Sequence, residues 1–323
     1  MNMKISVVGC GRWGSLITWY LAKKKGLDVT LYGREDSKHI QRFIRERRND
    51  LLTLPESVKI STSLSCLSDA DVIIISINSQ GLAAFMREIE HLELKNKIFV
   101  LCMKGIDIES GMRLSEVAKK GTDSSNKIAV WLGPGHVQEF YAGIPNCMVI
   151  DSEDEKVKHS LVDTFSSELI RFYYGEDMIG NEIGAAAKNV IGIAAGMLDG
   201  YELSTLKGAL MSRGCREVAR LISAMGGNEL SAYGLCHLGD YEATVFSKFS
   251  HNREFGERFV KGESLDKLAE GYYTVKAIMK LCEAYEVDMP ICRSVYKIIY
   301  EGGDPKTTLG SLFERSIKTE FYR

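Results

Sequence analysis

The segment Gly9-Cys10-Gly11-Arg12-Trp13-Gly14 constrains this chain more than any other, because an apolar β-type run (Ile5-Ser6-Val7-Val8) leads into it and a helical pattern (Ser15 to Lys25) leaves it. A strand, a glycine-rich turn and a helix in that order form a dinucleotide-binding unit, whereas the same glycines without that context say little. The first glycine permits the tight turn, the second lets the backbone approach a pyrophosphate, and the third lets the helix pack closely on the strand. The helix N-terminus adds partial positive charge for the anion. A second β-type run, Asp28-Val29-Thr30-Leu31-Tyr32, follows at the distance a βαβ unit requires.

The end of that second run decides how a ribose is held. A carboxylate there binds the 2′-hydroxyl and repels a 2′-phosphate. This chain has Gly33-Arg34 instead, and a guanidinium stacks on adenine, pairs with a 2′-phosphate, or simply lies solvated on the surface. Both NAD and NADP stay open as the cofactor.

A length of 323 residues suggests two domains, and a formal net charge of −2 gives no general attraction to nucleic acid or to an anionic membrane. The longest apolar runs, such as Ala70 to Ile77, are too short to cross a bilayer. The 8 cysteines are scattered without a CxxC and the 6 histidines show no ligand spacing, so no metal site is expected and most thiols read as reduced, buried small hydrophobes. A cytoplasmic enzyme fits these features.

Short β-branched runs recur at Val72 to Ser76, Lys97 to Leu101, Ile128 to Leu132, Cys147 to Ile150 and Leu169 to Tyr173. Their rhythm predicts an α/β fold with an N-terminal Rossmann-like, doubly wound parallel sheet over residues 1–180. From Gly180 onward the strand signals stop. Gly184 to Leu198, Ser204 to Met225, Ser264 to Tyr285 and Pro290 to Tyr300 read as helices, predicting an all-α C-terminal domain over residues 181–323.

Ligands of open α/β sheets sit beyond the carboxyl ends of the strands. There this chain places Ile77-Asn78-Ser79-Gln80, whose side chains either line a nicotinamide ribose or cap a helix. It also places Lys104-Gly105, a lysine for a substrate anion or carbonyl unless it is a surface residue, and Gly133-Pro134-Gly135-His136, a backbone-rich turn. Within Gly184-Ala185-Ala186-Ala187-Lys188-Asn189-Val190-Ile191-Gly192, one lysine stands in an apolar, small-residue helix. Lys188 either snorkels to the surface or, buried near another cation such as Lys104, has a lowered pKa suited to proton exchange.

These motifs together resemble the NAD(P)-dependent glycerol-3-phosphate dehydrogenase family over essentially the whole chain. The likeness rests on Gly9 to Gly14, Lys104-Gly105, Gly184 to Gly192, Leu238-Gly239-Asp240 with Thr244, Ser250 to Gly256, Glu270-Gly271, and Val287 to Ile291 with Val295-Tyr296. The resemblance implies reversible reduction of dihydroxyacetone phosphate to sn-glycerol 3-phosphate by NADH or NADPH, in glycerophospholipid synthesis; a homodimer is expected because helical C-terminal domains of this kind often pair. It makes Lys188 the proton-transfer group, with Asp240 orienting it and Lys104 adding charge beside the carbonyl. It places the cofactor on Gly9, Gly11, Arg12, Trp13, Gly14, Arg34, Ser79, Lys104, Val137, His251, Leu268 and Glu270. The phosphorylated substrate falls on Lys104, Gly133, Gly135, Lys188, Asp240, Thr244, Ser250, His251 and Asn252. Asp240 and Asn252 have plainer readings too, as a cap and a turn residue.

Two positions depart from the family pattern. Gly135 stands where a serine is usual, and His251 stands where an arginine normally grips the substrate phosphate. Protonated His251 or a swung-in Arg253 are candidate replacements, and another small carbonyl substrate or a catalytically silent NAD(P)-binding sensor are the alternative functions. Retention of Lys104, Lys188, Asp240 and Asn252 argues against the sensor, since cofactor binding alone requires none of them.

Overall fold

Runs rich in valine and isoleucine are stiff at χ1 and pack well on a pleated surface, and here they build one eight-stranded sheet. Its strands are β1 (Lys4–Val8), β2 (Asp28–Tyr32), β3 (Lys59–Ser61), β4 (Val72–Ile75), β5 (Ile98–Leu101), β6 (Lys127–Leu132), β7 (Asn146–Ser152) and β8 (Ile170–Tyr174). The helices are α1 (Arg12–Trp19), α2 (Lys38–Glu46), α3 (Leu82–Ile89), α4 (Leu114–Lys120), α5 (Val137–Tyr141), α6 (Glu155–Phe165), α7 (Met178–Gly200), α8 (Lys207–Ala224), α9 (His251–Val260), α10 (Glu270–Ala284), α11 (Pro290–Tyr300) and α12 (Pro305–Gly310). This computed structural model describes residues 3–263, 269–317 and 319–320. The start of the helix expected over Ser264 to Tyr285 therefore lies outside the described residues, and α10 covers the rest of it to Ala284.

The strand order is β3-β2-β1-β4-β5-β6-β7-β8, so the winding reverses between β1 and β4. Connections leaving those two strands diverge and open a crevice beyond their carboxyl ends. β4 is buried along its whole length, which explains its unbroken apolar run Val72-Ile73-Ile74-Ile75.

The sheet differs from the expected one in two ways. β7 runs antiparallel to β6, because only α5, a helix of 5 residues, lies between them, and a parallel return needs a fuller crossover. β3 is an edge strand of 3 residues, none of them buried, and carries too little apolar pattern to be read in advance.

Beyond β8 the described residues form no further strand. α7 is the axis of this helical part, with 23 residues of which all but the ends are buried. Its glycines let neighbours come close: a Cβ on Gly196 would lie 1.9 Å from the Arg253 carbonyl oxygen, and one on Gly256 of α9 would lie 2.0 Å from that of Ile193. The two backbones therefore touch where any side chain would hold them apart. α7 is also tied to the sheet half by buried Glu182, which accepts hydrogen bonds from Ser115 N (2.9 Å), Ser115 Oγ (2.6 Å) and Arg113 Nη1 (2.7 Å). This pins the start of α4 onto α7 and fixes the position of Lys188, about two turns further along. Among the described residues no helix is long and apolar enough to cross a membrane.

Candidate active site

The crevice at the switch point continues into a cleft of about 740 Å³ that has the glycine turn on one side and Lys104, Asn189, Asn252 and Glu270 on the other. A separate cavity of about 410 Å³ lies among α7, α8 and α11 and holds none of the expected site residues.

The glycine turn is shaped by close approach. A Cβ on Gly9, at φ +108°, would lie 2.2 Å from the Ser76 carbonyl oxygen, and one on Gly14 would lie 1.9 Å from the Gly9 carbonyl oxygen. A Cβ on Gly11 would meet no protein atom within 4 Å, so nothing in the chain itself demands a glycine there. Its bareness fits a ligand brought against the backbone at the N-terminus of α1, as the pyrophosphate of a dinucleotide would be. Trp13 borders the same cleft. Arg34 does as well, but its Nη2 lies 2.6 Å from Glu88 Oε2 and its side chain is 62% exposed.

Behind Lys104 in the cleft wall, two lysines converge on one carboxylate oxygen. Lys104 Nζ donates to Asp240 Oδ2 (2.6 Å) and to the Gly133 carbonyl oxygen (2.7 Å), while Lys188 Nζ lies 2.7 Å from the same Oδ2 and donates to Thr244 Oγ1 (2.7 Å). Asp240 is 1% exposed and Lys188 7%, so Lys188 does not snorkel. Burial drives the Lys188 pKa down to about 8; Asp240 opposes this and the like charge of Lys104 adds to it. An ammonium poised there gives up a proton near neutral pH, and the amine it leaves takes one back.

Across the cleft Glu270, at the start of α10, accepts from Ser79 Oγ (2.8 Å) and Asn78 Nδ2 (3.3 Å). Asn78 also caps the short turn after β4, the plainer of its two expected roles, and it lines the cleft. Asn252 bridges helices, with Nδ2 donating to Asn189 Oδ1 (3.0 Å) and Oδ1 accepting from Gly271 N (2.8 Å). Ser250 is the N-cap of α9 and accepts from Arg253 N. His251 lies at the cleft mouth, its Nε2 3.2 Å from Arg12 Nη1.

Arg253 does not swing in. Its Nη1 is held by Asp199 Oδ2 (2.9 Å) and Glu257 Oε2 (2.8 Å), and its Nε donates to the Ser247 carbonyl oxygen. Gly135 has φ +140° and would bring a Cβ to 2.2 Å from the Phe140 ring, so this backbone does not accept the serine usual there. The side chain of Val137 is buried in the sheet-side core rather than in the cleft. Leu268 lies outside the described residues.

Two residues in or beside the cleft were not singled out by sequence. Asn189, next to Lys188, donates to the Lys104 carbonyl oxygen (3.4 Å) and so couples α7 to the strand-end lysine. The only sequence signal for it was a polar residue in an apolar run. His136, next to the cleft-lining Gly135 and the N-cap residue of α5, has a buried Nε2 with no hydrogen-bond partner among the described residues, and burial lowers its pKa. Among the described residues no group of three or more His, Cys, Asp or Glu is placed to hold a metal ion.

Known proteins match this chain over both of its halves. Residues 4–158 match the model of the NAD-dependent glycerol-3-phosphate dehydrogenase N-terminus, and residues 177–310 match that of the C-terminus. Glycerol-3-phosphate dehydrogenase [NAD(P)+] of Prosthecochloris aestuarii is 35% identical over 334 residues, covering 98% of this chain and 100% of its own. The protein of the same name from a Thermoanaerobacter species is 32% identical, covering 99% of each. The crystal structure of glycerol-3-phosphate dehydrogenase from Coxiella burnetii superposes with a TM-score of 0.89 at 28% identity, over 97% of this chain and 99% of that one. The chain belongs to the NAD-dependent glycerol-3-phosphate dehydrogenase family.

Proposed function

We propose that this protein interconverts dihydroxyacetone phosphate and sn-glycerol 3-phosphate with NAD(H) or NADP(H), using Lys188 as the proton-transfer group. The observation that carries the assignment is the pair of lysines on Asp240, one of which, Lys104, lines the same cleft as the glycine turn. A nicotinamide dinucleotide held along Gly9, Gly11, Trp13, Gly14, Ser79 and Glu270 supplies the hydride. Lys188 passes its proton to the carbonyl oxygen as the alcohol forms, and takes one back in the reverse direction. Asp240 holds both ammoniums at once, and Lys104, anchored by the Gly133 carbonyl, faces the developing negative charge. Thr244 accepts from Lys188 with one lone pair and keeps its O–H to donate, and one N–H of Asn252 is left beyond its bond to Asn189. Ser250 completes the polar set at the start of α9.

The two halves share the work: the sheet half up to about Gly180 supplies the glycine turn, Ser79 and Lys104, and the helices after it supply Lys188, Asp240, Thr244, Asn252 and Glu270. The 8 cysteines, all without a disulfide, suit a reducing cytoplasm.

The test is oxidation of NADH and NADPH by the purified protein with dihydroxyacetone phosphate, run beside unphosphorylated dihydroxyacetone. Turnover confined to the phosphorylated ketone is the expected result; none, or equal rates on both ketones, overturns the assignment. The same assay reports on Arg34. Because Glu88 occupies its guanidinium, Glu88→Gln is expected to shift the ratio of cofactor Kd values toward NADPH by about two- to fivefold, as suits an exposed pair. An unchanged ratio would place Arg34 away from the 2′-phosphate.

A further inference from the structure

We propose that Arg12, on the glycine turn, is the ligand of the substrate phosphate, reaching across the cleft to His251 and serving where α9 presents no cation of its own. The proposal rests on the functional reading above. A phosphate dianion in a cleft needs a positively charged donor, and each other cation near the cleft has a prior commitment. Lys104 and Lys188 share Asp240 at the carbonyl end. Arg34 sits against Glu88 at the adenosine end. On α9 itself, Arg253 is held by Asp199 and Glu257, and Arg258 by Glu254 at 3.0 Å. The Lys248 ammonium rests over the Phe249 ring, 5.5 Å from its centroid.

Arg12 differs from all of these. Among the described residues it pairs with no carboxylate, and its one side-chain hydrogen bond is to His251 Nε2 at 3.2 Å. A guanidinium only donates, so in this arrangement the ring nitrogen accepts. His251 thus aims the fork without neutralising its charge. The two residues are 239 positions apart, one from each half of the chain, and they meet beside Asn252, which lines the same cleft. A phosphate entering there meets a planar donor pair suited to two of its oxygens, with Asn252 and the capped start of α9 behind it.

The rival role for Arg12 is the cofactor pyrophosphate, since the side chain leaves the first turn of α1. Steady-state KM for dihydroxyacetone phosphate at saturating NADH, together with the NADH Kd from fluorescence titration, separates the two. For Arg12→Ala, KM should rise about ten- to a hundredfold, as loss of a charged hydrogen bond implies, with the NADH Kd within about twofold. Arg12→Ala/His251→Arg should recover most of the lost KM by moving the guanidinium to the other side of the same contact. An unchanged KM for Arg12→Ala, a Kd that rises as much as KM, or failure of the double variant to recover overturns the proposal. Absence of any turnover by the unaltered enzyme is a different result, which removes the functional reading and this proposal with it.

Discussion

Lys188→Met should lower kcat/KM for dihydroxyacetone phosphate by about 10²–10⁴, the range typical of losing a positioned general acid. Binding of NADH should be nearly untouched. Methionine keeps an unbranched apolar stem in the buried channel of α7, so the variant removes the ammonium without opening a large cavity. Asp240 stays paired, because Lys104 Nζ lies 2.6 Å from its Oδ2. The wild-type pH profile should carry the mark of the same group. With the Lys188 pKa lowered to about 8, reduction, which consumes the ammonium, should fall as pH rises through about 8. Oxidation of glycerol 3-phosphate, which needs the neutral amine, should rise through the same range. Opposite slopes in the two directions, both absent from Lys188→Met, support the role. An inflection near 8 that survives in the variant would mean the proton comes from elsewhere.

The parts of the fold visible in the sequence were those whose signal is local. β1, the glycine turn and α1 lie within a short stretch, and each carries its own pattern of apolar periodicity and turn chemistry. The strands buried on both faces announce themselves as continuous apolar runs. What stayed hidden depends on partners distant in the chain. β3 is a strand only because β2 lies beside it, pairing Thr30 with Lys59 through Tyr32 with Ser61. α9 escaped notice because Gly256 weakens its helical propensity, yet that glycine is there to let α9 touch α7.

The site divides along the same line. Lys188 was legible because a lysine in a run of alanines contradicts its surroundings, and such conflicts gather at functional sites. Its burial and its bond to Thr244 depend on how α7 packs. Arg253 shows the opposite failure. Next to the expected phosphate segment it looked available, but the turn of α9 points it at Asp199 and Glu257. Gly135 is explained by Phe140, a ring placed there by the short α5, and no reading of the turn alone could supply that reason.

Asp240→Asn should destabilise the protein by about 3–5 kcal/mol near pH 7, the range for breaking a buried ion pair by removing one partner. The reason is geometric. Both ammoniums lie within 2.7 Å of the same Oδ2, on side chains 23% exposed for Lys104 and 9% for Lys188. An amide in its place leaves two like charges facing each other with no counter-charge. Only Lys188 can relieve this while staying buried, by releasing its proton, so its pKa should drop below its present value of about 8. The sign of the pH dependence follows. A lysine whose folded pKa lies below that of the unfolded chain binds fewer protons when folded, so stability rises with pH between the two values. In the wild type that window runs from about 8 up to the ordinary lysine value, and in Asp240→Asn it begins lower. The gap in Tm between the two proteins should therefore narrow as pH climbs toward about 8 and hold steady above it. Adding Lys188→Met to Asp240→Asn should restore most of the lost stability, since the remaining cation, Lys104, keeps the Gly133 carbonyl and partial access to water. A Tm gap that does not vary with pH, or a double variant whose losses simply add, would show that Asp240 acts through its packing and not through the two charges it holds.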